Sequence, residues 1–166
     1  MYQTNCSGML CIVLDLDGTL IRSSTEQDSR FESFPILDAT LWVHIRPHAK
    51  ELLRYLVARN NVTVCIWTAG VQQYAEDVVH GLCNAFLIDS DTLHVFSRTD
   101  AFPMTIENVT VYVKDLCHVQ ERLPFATDIV LVDDDPVHKC IPSNRGRIIQ
   151  IAPFFCNPND NVLIYI

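Results

Sequence analysis

The stretch that most constrains the fold is residues 9–20, MLCIVLDLDGTL, in which six apolar residues lead into two closely spaced carboxylates. A short apolar run closed by a turn signal is typical of a strand buried in a parallel sheet. Ligands bind beyond the carboxyl ends of such strands, where Asp15 and Asp17 would lie. Two like charges this close are costly unless a cation or a shared proton relieves them. Since Mg²⁺ binds carboxylates together with phosphate oxygens, the stretch indicates a metal-assisted phosphate site, and a plain strand with an Asp-Gly turn is the alternative.

The length and composition favour one globular domain, and we assign residues 1–166 to it. No segment approaches the roughly 18 apolar residues of a membrane span, and Met1 to Gly8 resembles neither a signal nor a transit peptide. Seven cysteines without a CxxC pair favour a reducing, intracellular location, in the cytoplasm or the nucleus. A formal net charge of −8 disfavours a nucleic-acid surface. We therefore expect a monomer that binds neither nucleic acid nor membrane directly.

Helical and strand patterns alternate after the first strand. A helix is predicted to begin at Arg46-Pro47, and further helices are predicted over 72–83 and 116–123. Buried strands are predicted over 62–67 and 128–132, with a last strand at 147–151 and short candidate strands at 86–88 and 93–96. This order predicts an α/β, Rossmann-like domain with a mainly parallel central sheet and helices on both faces. The tail over 157–166 has too little pattern for a prediction.

Residues 21–45 interrupt the alternation directly after the first strand. A polar stretch over 22–33 is followed by two short apolar runs, with Asp38-Ala39 between them. The pattern predicts a small β-hairpin inserted after the first strand. Such an insert would overhang the active edge of the sheet, as substrate-reading elements do, although a purely structural edge ribbon would show the same pattern.

Side chains suited to phosphoryl transfer follow the predicted strands. They are Asp15 and Asp17 after the first strand, Thr68 after the second, Asp133 and Asp134 after the third buried strand, and Lys114 at a fourth element. Because the ends of parallel strands share one edge of the sheet, these side chains can converge. Phosphoryl transfer needs an oxygen nucleophile, an acid for the leaving oxygen and cations for the phosphoryl oxygens. Taken singly, each residue also has an ordinary structural role, such as a helix cap at Thr68.

Four motifs stand in the order DLDGT (15–19), WTAG (67–70), VKDL (113–116) and VDDDP (132–136). An RPH sequence at 46–48 and Tyr74-Ala75 accompany them. In these features the sequence resembles the haloacid-dehalogenase (HAD) superfamily of phosphatases. Within it, the chain is most similar to the FCP/SCP-type, NLI-interacting-factor-like phosphatases that act on the RNA polymerase II C-terminal domain. The resemblance implies a HAD-type domain in which the hairpin insert takes the place of a full cap domain.

The resemblance also implies a Mg²⁺-dependent reaction through an aspartyl-phosphate and three sets of site residues. The catalytic residues would be Asp15 (nucleophile), Asp17 (general acid and base), Thr68 and Lys114. The phosphate-binding residues would be Thr68, Ala69 and Lys114. The Mg²⁺ ligands would be Asp15, Asp17 (through its main-chain carbonyl) and Asp134, with Asp133 close by.

The substrate implied by the resemblance is a phosphoserine or phosphothreonine in a protein tail, such as the RNA polymerase II C-terminal domain. We hypothesise that Phe34, Pro35 and Trp42 of the insert, together with Arg98, read that substrate. Gly18 stands where the narrower group usually carries Glu, which leaves the substrate open. A small-metabolite phosphatase of the same superfamily and a catalytically silent phosphopeptide-binding module are the alternatives.

Overall fold

The computed structural model describes residues 8–106 and 108–166 of the chain. Its strands are β1 (Met9–Leu14), β2 (Ile21–Ser24), β3 (Ser33–Ile36), β4 (Leu41–Ile45), β5 (Val62–Trp67), β6 (Leu93–Phe96), β7 (Phe102–Ile106), β8 (Val109–Val113), β9 (Ala126–Asp133) and β10 (Ile148–Gln150). Its α-helices are α1 (Ala49–Val57), α2 (Gln72–Phe86), α3 (Leu116–Arg122) and α4 (Pro136–Lys139). Short 3₁₀ helices cover Ser90–Thr92, Arg98–Asp100, Pro142–Arg147 and Val162–Tyr165. Residues 1–7, on which the leader-peptide prediction rests, lie outside the described residues, and the assignment of 1–166 to one domain stays a prediction.

The central sheet has five strands in the order β10-β9-β1-β5-β6, and each neighbouring pair is parallel. The apolar strand β1 lies in its middle, with Leu14 opposite Ile66 of β5 and Val132 of β9. A strand paired on both edges and covered on both faces must be apolar throughout, which is why β1 shows no alternation with polar residues. The predicted parallel α/β fold is confirmed.

Helices cover both faces of this sheet, as predicted. Leu14 faces α1 and α2 in one apolar core, whereas Val13 faces α3 in a second core on the opposite side. Both side chains are fully buried, because successive residues of a strand point to opposite faces. In the described ranges, no helix combines the length and the apolarity needed to cross a membrane.

The insert is a three-stranded antiparallel sheet in the order β2-β4-β3. The predicted hairpin is present as β3 and β4, and its turn carries positive φ angles at Leu37, Asp38 and Ala39. The additional strand β2 falls largely in the polar stretch over 22–33, for which no strand was predicted. It is hard to recognise because Ile21 is its one strongly apolar residue, and its stability comes from backbone pairing with β4.

Two other predictions differ from the structure, and one element was not predicted. The strand predicted at 86–88 is wrong, because α2 continues to Phe86, a fully buried member of its apolar stripe, and ends at a left-handed Leu87. The helix predicted from Arg46-Pro47 begins later, at Ala49, after a left-handed His48. The antiparallel hairpin of β7 and β8 was not predicted, since its strands expose much of their apolar surface.

The side chain of Arg46 joins the C-terminal segment to the loop after β1. It is 1% exposed and donates to Asp160 from Nε at 3.0 Å and from Nη2 at 2.9 Å. The same guanidinium donates to the main-chain oxygens of Gly18, Thr19 and Ala152. A buried charge is tolerated only when it is paired and fully hydrogen-bonded, and Arg46 meets both conditions.

Replacement of Arg46 by Met is expected to lower the free energy of unfolding by about 3 kcal/mol, because the mostly buried carboxylate of Asp160 and three carbonyl oxygens lose their donors. Urea unfolding followed by circular dichroism measures this change. The matched control is Arg54→Met, since Arg54 is exposed on α1, and it should change stability by less than about 0.5 kcal/mol. Equal stabilities for the two variants would contradict the structural role of Arg46.

Candidate active site

Four buried polar residues meet at the carboxyl edge of the central sheet. Asp15 follows β1, Thr68 follows β5, Asp133 ends β9, and Lys114 follows β8. Each is at most 2% exposed. Burying the ionisable groups of Asp15, Asp133 and Lys114 costs free energy. Their clustering at the edge where parallel strands present ligand sites therefore points to function rather than to stability.

Lys114 bridges two carboxylates at the centre of this cluster. Its Nζ donates to Asp15 Oδ1 at 2.5 Å and to Asp133 Oδ2 at 2.7 Å. Burial alone would lower the pKa of Lys114, but the two carboxylates outweigh it and hold that pKa above its ordinary value. The backbone of Lys114 is fixed as well. Its carbonyl oxygen accepts from Asn144 Nδ2 at 3.1 Å, and the Lys114 N–H donates to the Lys139 carbonyl at 2.7 Å. Lys114 is therefore a charged, rigidly placed ammonium group.

The two carboxylate oxygens of Asp15 differ in their contacts. Lys114 binds Oδ1, whereas the buried Oδ2 has no hydrogen-bond donor among the described residues. Burial raises the pKa of Asp15 to about 7, although Lys114 acts in the opposite direction. A buried acceptor without a donor is rare in folded proteins and indicates a place for a ligand or a reacting atom.

The residues present fit a divalent cation. Asp15, Asp133 and Asp134 each offer a carboxylate oxygen, and these oxygens lie within 4.8 Å of one another. Both oxygens of Asp133 already have donors, from Lys114 Nζ at 2.7 Å and from the Asp135 N–H at 2.8 Å. Oxygen ligands of this kind suit Mg²⁺.

Asp17 lies in a different environment from Asp15. Its Oδ1 accepts from the Tyr74 hydroxyl at 2.5 Å, and its Oδ2 accepts from Thr68 Oγ1 at 3.3 Å. The Tyr74 oxygen in turn lies 2.7 Å from Ser23 Oγ of the insert. Burial, followed by the charge of Asp17, raises the pKa of Tyr74, so its hydroxyl remains a donor. Sequence analysis noted Tyr74 only as part of the resemblance and missed this contact.

The loop after β5 is held by two local hydrogen bonds. Thr68 Oγ1 accepts from the Gly70 N–H at 3.0 Å. The carbonyl of Ala69 accepts from Arg98 Nε at 2.8 Å, and the Arg98 guanidinium lies 4.9 Å from the centre of the Tyr112 ring. Arg98 thus lies beside the predicted phosphate-binding loop, on the side of the β7–β8 hairpin.

Lys139 of α4 is a second cation near the carboxylates, and sequence analysis missed it. Its Nζ lies 3.2 Å from Asp134 Oδ1 and 3.9 Å from Asp15 Oδ2. Burial alone would lower the pKa of Lys139, but the charges of Asp15 and the neighbouring aspartates raise it. The sequence signal is weak, since Lys139 lies six residues beyond Asp133 on a helix of four residues.

Gly18 occupies a position where a side chain would disturb the site. Its φ angle is 87°, in the left-handed region that favours glycine. A Cβ at this position would overlap the carboxylate of Asp134. The Gly18 N–H donates to the Ile21 carbonyl at 2.9 Å, and the Gly18 carbonyl accepts from the Phe154 N–H at 2.7 Å. Gly18 thus connects the loop after β1 with the insert and the C-terminal segment.

For the Mg²⁺-dependent phosphatase reaction that the sequence motifs imply, the variant Gly18→Ala is expected to lower kcat/KM by about 10-fold to 100-fold, because its Cβ must displace Asp134 in a strained backbone. Initial rates over a Mg²⁺ titration measure the effect, and the Mg²⁺ requirement should rise with it. Gly146→Ala is the matched control, since an added Cβ there meets nothing within 4 Å. Wild-type kinetics in Gly18→Ala would contradict this account of Gly18.

The predicted substrate-reading residues of the insert lie apart from the carboxylates. Phe34 packs on Gly81 of α2 and, with Pro35, lines a groove of about 910 Å³ between β3 and α2. The described residues that line this groove include none of the clustered carboxylates at the edge of the central sheet. Trp42 is half-buried and lies opposite Pro35 in the β3–β4 pairing. Whether these residues read a substrate stays a prediction.

Both the sequence and the fold of this chain are similar to those of known phosphatases. A family model described as NLI interacting factor-like phosphatase matches residues 10–166. A solved structure of the fission yeast RNA polymerase II CTD phosphatase Fcp1, a variant bound to beryllium fluoride, matches with a TM-score of 0.63 at 17% identity, covering 90% of this chain and 43% of that one. A second structure, of Fcp1 described as an essential RNA polymerase II CTD phosphatase, matches with the same TM-score and identity over 94% of this chain and 45% of that one.

The two structural matches establish likeness of fold, and the chain spans less than half the length of either Fcp1 structure. A search of curated proteins returned no match. The family model therefore carries the assignment of the chain to a family, since it covers nearly all of the chain.

Proposed function

Since the chain belongs to the NLI interacting factor-like phosphatase family, we propose that it is a Mg²⁺-dependent phosphatase that forms an aspartyl-phosphate on Asp15. The observation that carries the proposal is the contrast between two aspartates two residues apart. Asp15 is buried with Lys114 on one oxygen and no donor on the other. Asp17 is held by the hydroxyls of Tyr74 and Thr68.

In the first step, Asp15 Oδ2 attacks phosphorus and the bond between phosphorus and the ester oxygen breaks. Asp17 gives its proton to the leaving oxygen, so that an alcohol departs and an aspartyl-phosphate remains. Asp15 suits the nucleophile because Lys114 fixes its other oxygen and leaves Oδ2 free. The Tyr74 hydroxyl orients the Asp17 carboxyl group through its hydrogen bond to Oδ1.

In the second step, a water molecule attacks phosphorus while Asp17 accepts its proton, and the bond to Asp15 breaks to release inorganic phosphate. The ammonium group of Lys114 offsets the negative charge that would otherwise repel the incoming water. We assign the binding of the phosphoryl oxygens to Thr68 and the Ala69 backbone, and the hydrogen bond from Thr68 Oγ1 to Asp17 supports this. Lys114 thus has a role in both steps.

We assign Mg²⁺ to Asp15, Asp134 and the main-chain carbonyl of Asp17, with Asp133 close by. Asp134 is the better of the two neighbouring ligands, because both oxygens of Asp133 have donors from the protein. When bound, Mg²⁺ would neutralise charge on the phosphoryl oxygens. The chain's own contribution is to hold these carboxylates together, with Lys114 and Lys139 offsetting their repulsion.

The proposed substrate is a phosphoserine or phosphothreonine in a protein tail, such as the RNA polymerase II C-terminal domain. The structural relatives are described as phosphatases of that domain. The insert of residues 21–45 is a small sheet rather than a full cap domain, and Asp17 and Asp134 line a cleft that an extended peptide can enter. An intracellular location fits this substrate.

Phosphate release from a phosphoserine-proline peptide, with and without Mg²⁺, tests the proposal. We expect release that a chelator abolishes and added Mg²⁺ restores. Small phosphate esters, including a panel of sugar phosphates, serve as competing substrates. A kcat/KM that is higher for a sugar phosphate than for every phosphopeptide would replace the protein substrate by a metabolite. Peptide binding without turnover would indicate the silent binding module instead.

Trp42→Ala tests whether the insert takes part in substrate reading. We expect KM for phosphopeptides to rise about three- to tenfold, because loss of an aromatic side chain from a binding interface typically weakens binding by at least this factor. The control is Tyr55→Ala, an exposed aromatic residue on α1. Unchanged phosphopeptide kinetics in Trp42→Ala would leave the insert a purely structural element.

A further inference from the structure

We propose that Arg22 and Phe155 form a second, anion-binding subsite beside the catalytic carboxylates. This subsite would select phosphopeptides that carry another negatively charged group near the phosphorylated residue. The inference rests on the proposed function, since it concerns the substrate of the same site.

The subsite lies in a cleft of about 560 Å³ that contains part of the catalytic cluster. Its lining includes Asp17 and Asp134, Arg22 and Ser23 of β2, and Pro153 and Phe155 of the C-terminal segment. A substrate whose phosphoryl group reaches the catalytic aspartates therefore has its neighbouring atoms beside Arg22 and Phe155.

Both walls of the cleft are fixed at Gly18, in the loop after β1 that carries Asp15 and Asp17. On one side, the Gly18 N–H donates to Ile21 at 2.9 Å, and because Ile21 is buried, Arg22 points the other way and is exposed. On the other side, the Phe154 N–H donates to the Gly18 carbonyl at 2.7 Å, which places Phe155 at the cleft. The position of the subsite relative to the nucleophile is therefore set by the backbone.

Arg22 is available for a ligand. The other charged groups of the cleft have partners: Asp17 accepts from Tyr74 at 2.5 Å, Asp134 lies 3.2 Å from Lys139, and Asp135 lies 2.7 Å from His138. Among the described residues, no carboxylate oxygen lies within 4.0 Å of the Arg22 guanidinium. In a chain with a net charge of −8, a cation without a carboxylate partner at the active cleft favours an anion supplied by the substrate.

Phe155 supports this role of Arg22. Its ring is 70% exposed, and the guanidinium carbon of Arg22 lies 5.6 Å from the ring centre. An aromatic face attracts a guanidinium group and leaves its N–H edge free to bind a carboxylate or a phosphate through two parallel hydrogen bonds. A second phosphate and an acidic side chain share this chemistry, and a phosphate carries more charge.

The experiment compares kcat/KM for three phosphoserine peptides that differ at one nearby position, which carries Gln, Glu or a second phosphoserine. The position is varied over the three residues on either side of the phosphoserine. For the wild type we expect the Glu peptide to exceed the Gln peptide by about tenfold at the best position, as one charge-assisted hydrogen-bond pair allows. If kcat/KM relative to the Gln peptide is still larger for the peptide with a second phosphoserine, the subsite prefers a phosphate. Equal ratios for the Glu and phosphoserine peptides mean that it accepts either anion.

The variants tested are Arg22→Gln, Arg22→Lys and Phe155→Ala, and each is read as a ratio between peptides, so that a general loss of activity cancels. Arg22→Gln should bring the Glu-to-Gln ratio to about one, whereas Arg22→Lys should keep part of it, because Lys retains charge without the paired N–H edge. The control Arg30→Gln removes an exposed arginine of the same insert that pairs with Asp28 outside the cleft, and it should keep the full ratio.

Two outcomes overturn the inference and remain distinguishable. If the wild type hydrolyses phosphopeptides without regard to the neighbouring charge, or if Arg22→Gln keeps the preference, the subsite is wrong and the proposed function stands. If the wild type hydrolyses small phosphate esters but no phosphopeptide, the proposed protein substrate is wrong, and the subsite falls with it.

Discussion

Replacement of Asp15 by Asn is expected to reduce phosphate release by at least about 10⁴-fold, because an amide oxygen is a poor nucleophile and cannot form the aspartyl-phosphate. The measurement is kcat/KM with a phosphopeptide and with a small phosphate ester at saturating Mg²⁺. Both substrates should be affected alike, since the loss is in the chemistry and not in substrate recognition.

Asp15→Asn should keep the fold. Lys114 retains Asp133 at 2.7 Å as its partner, and the variant removes a carboxylate whose pKa burial raises to about 7. Losing a costly buried charge offsets losing its ion pair, so the free energy of unfolding should fall by no more than about 1 kcal/mol. Asp128→Asn, an exposed position on β9, is the matched control for activity. Residual activity within about tenfold of the wild type would show that Asp15 is not the nucleophile.

The part of the site that sequence analysis could identify lies at strand ends. Asp15 and Thr68 follow apolar runs, and the rule that parallel strands share a carboxyl edge brings them together without knowledge of side-chain positions. Lys114 was harder to place, since it follows β8, a strand of a separate two-stranded hairpin. The resemblance to the family supplied its role, and the structure places its ammonium group between Asp15 and Asp133.

The contacts that could not be predicted join residues far apart in the sequence. Tyr74 donates to Asp17 across 57 positions, and Arg46 binds Asp160 across 114. Neither pair follows from periodicity or from strand order, because each depends on where a helix or a tail packs after the sheet has formed. The Arg46 side chain also explains why the C-terminal tail, whose sequence allowed no prediction, packs against the loop after β1.

The departure from the family pattern at position 18 affects the space next to Asp134. The resemblance leads one to expect Glu at position 18, whereas this chain has Gly18. A Cβ on Gly18 would overlap the Asp134 carboxylate, so the glycine leaves room for that side chain at the proposed Mg²⁺ site.

The variant Lys114→Met is expected to lower kcat by about 10³-fold and the free energy of unfolding by about 3 kcal/mol. Lys114 is fully buried and holds Asp15 at 2.5 Å and Asp133 at 2.7 Å. Met fills a similar volume without charge, so two buried carboxylates lose their counterion, and breaking a buried pair from one side is strongly destabilising. Activity falls because the cation next to the phosphoryl group is gone.

Steady-state kinetics with a phosphopeptide measure the effect of Lys114→Met on kcat. Urea unfolding measures its effect on stability. Lys139→Met is the matched control, because Lys139 is 27% exposed and lies 3.9 Å from Asp15. Water can screen the charge of Lys139 but not that of Lys114, so the control should lose much less stability and activity. Equal losses in the two variants would mean that only the total positive charge of the site matters. A larger loss for Lys114→Met would instead show that catalysis depends on an ammonium group fixed between two particular carboxylates.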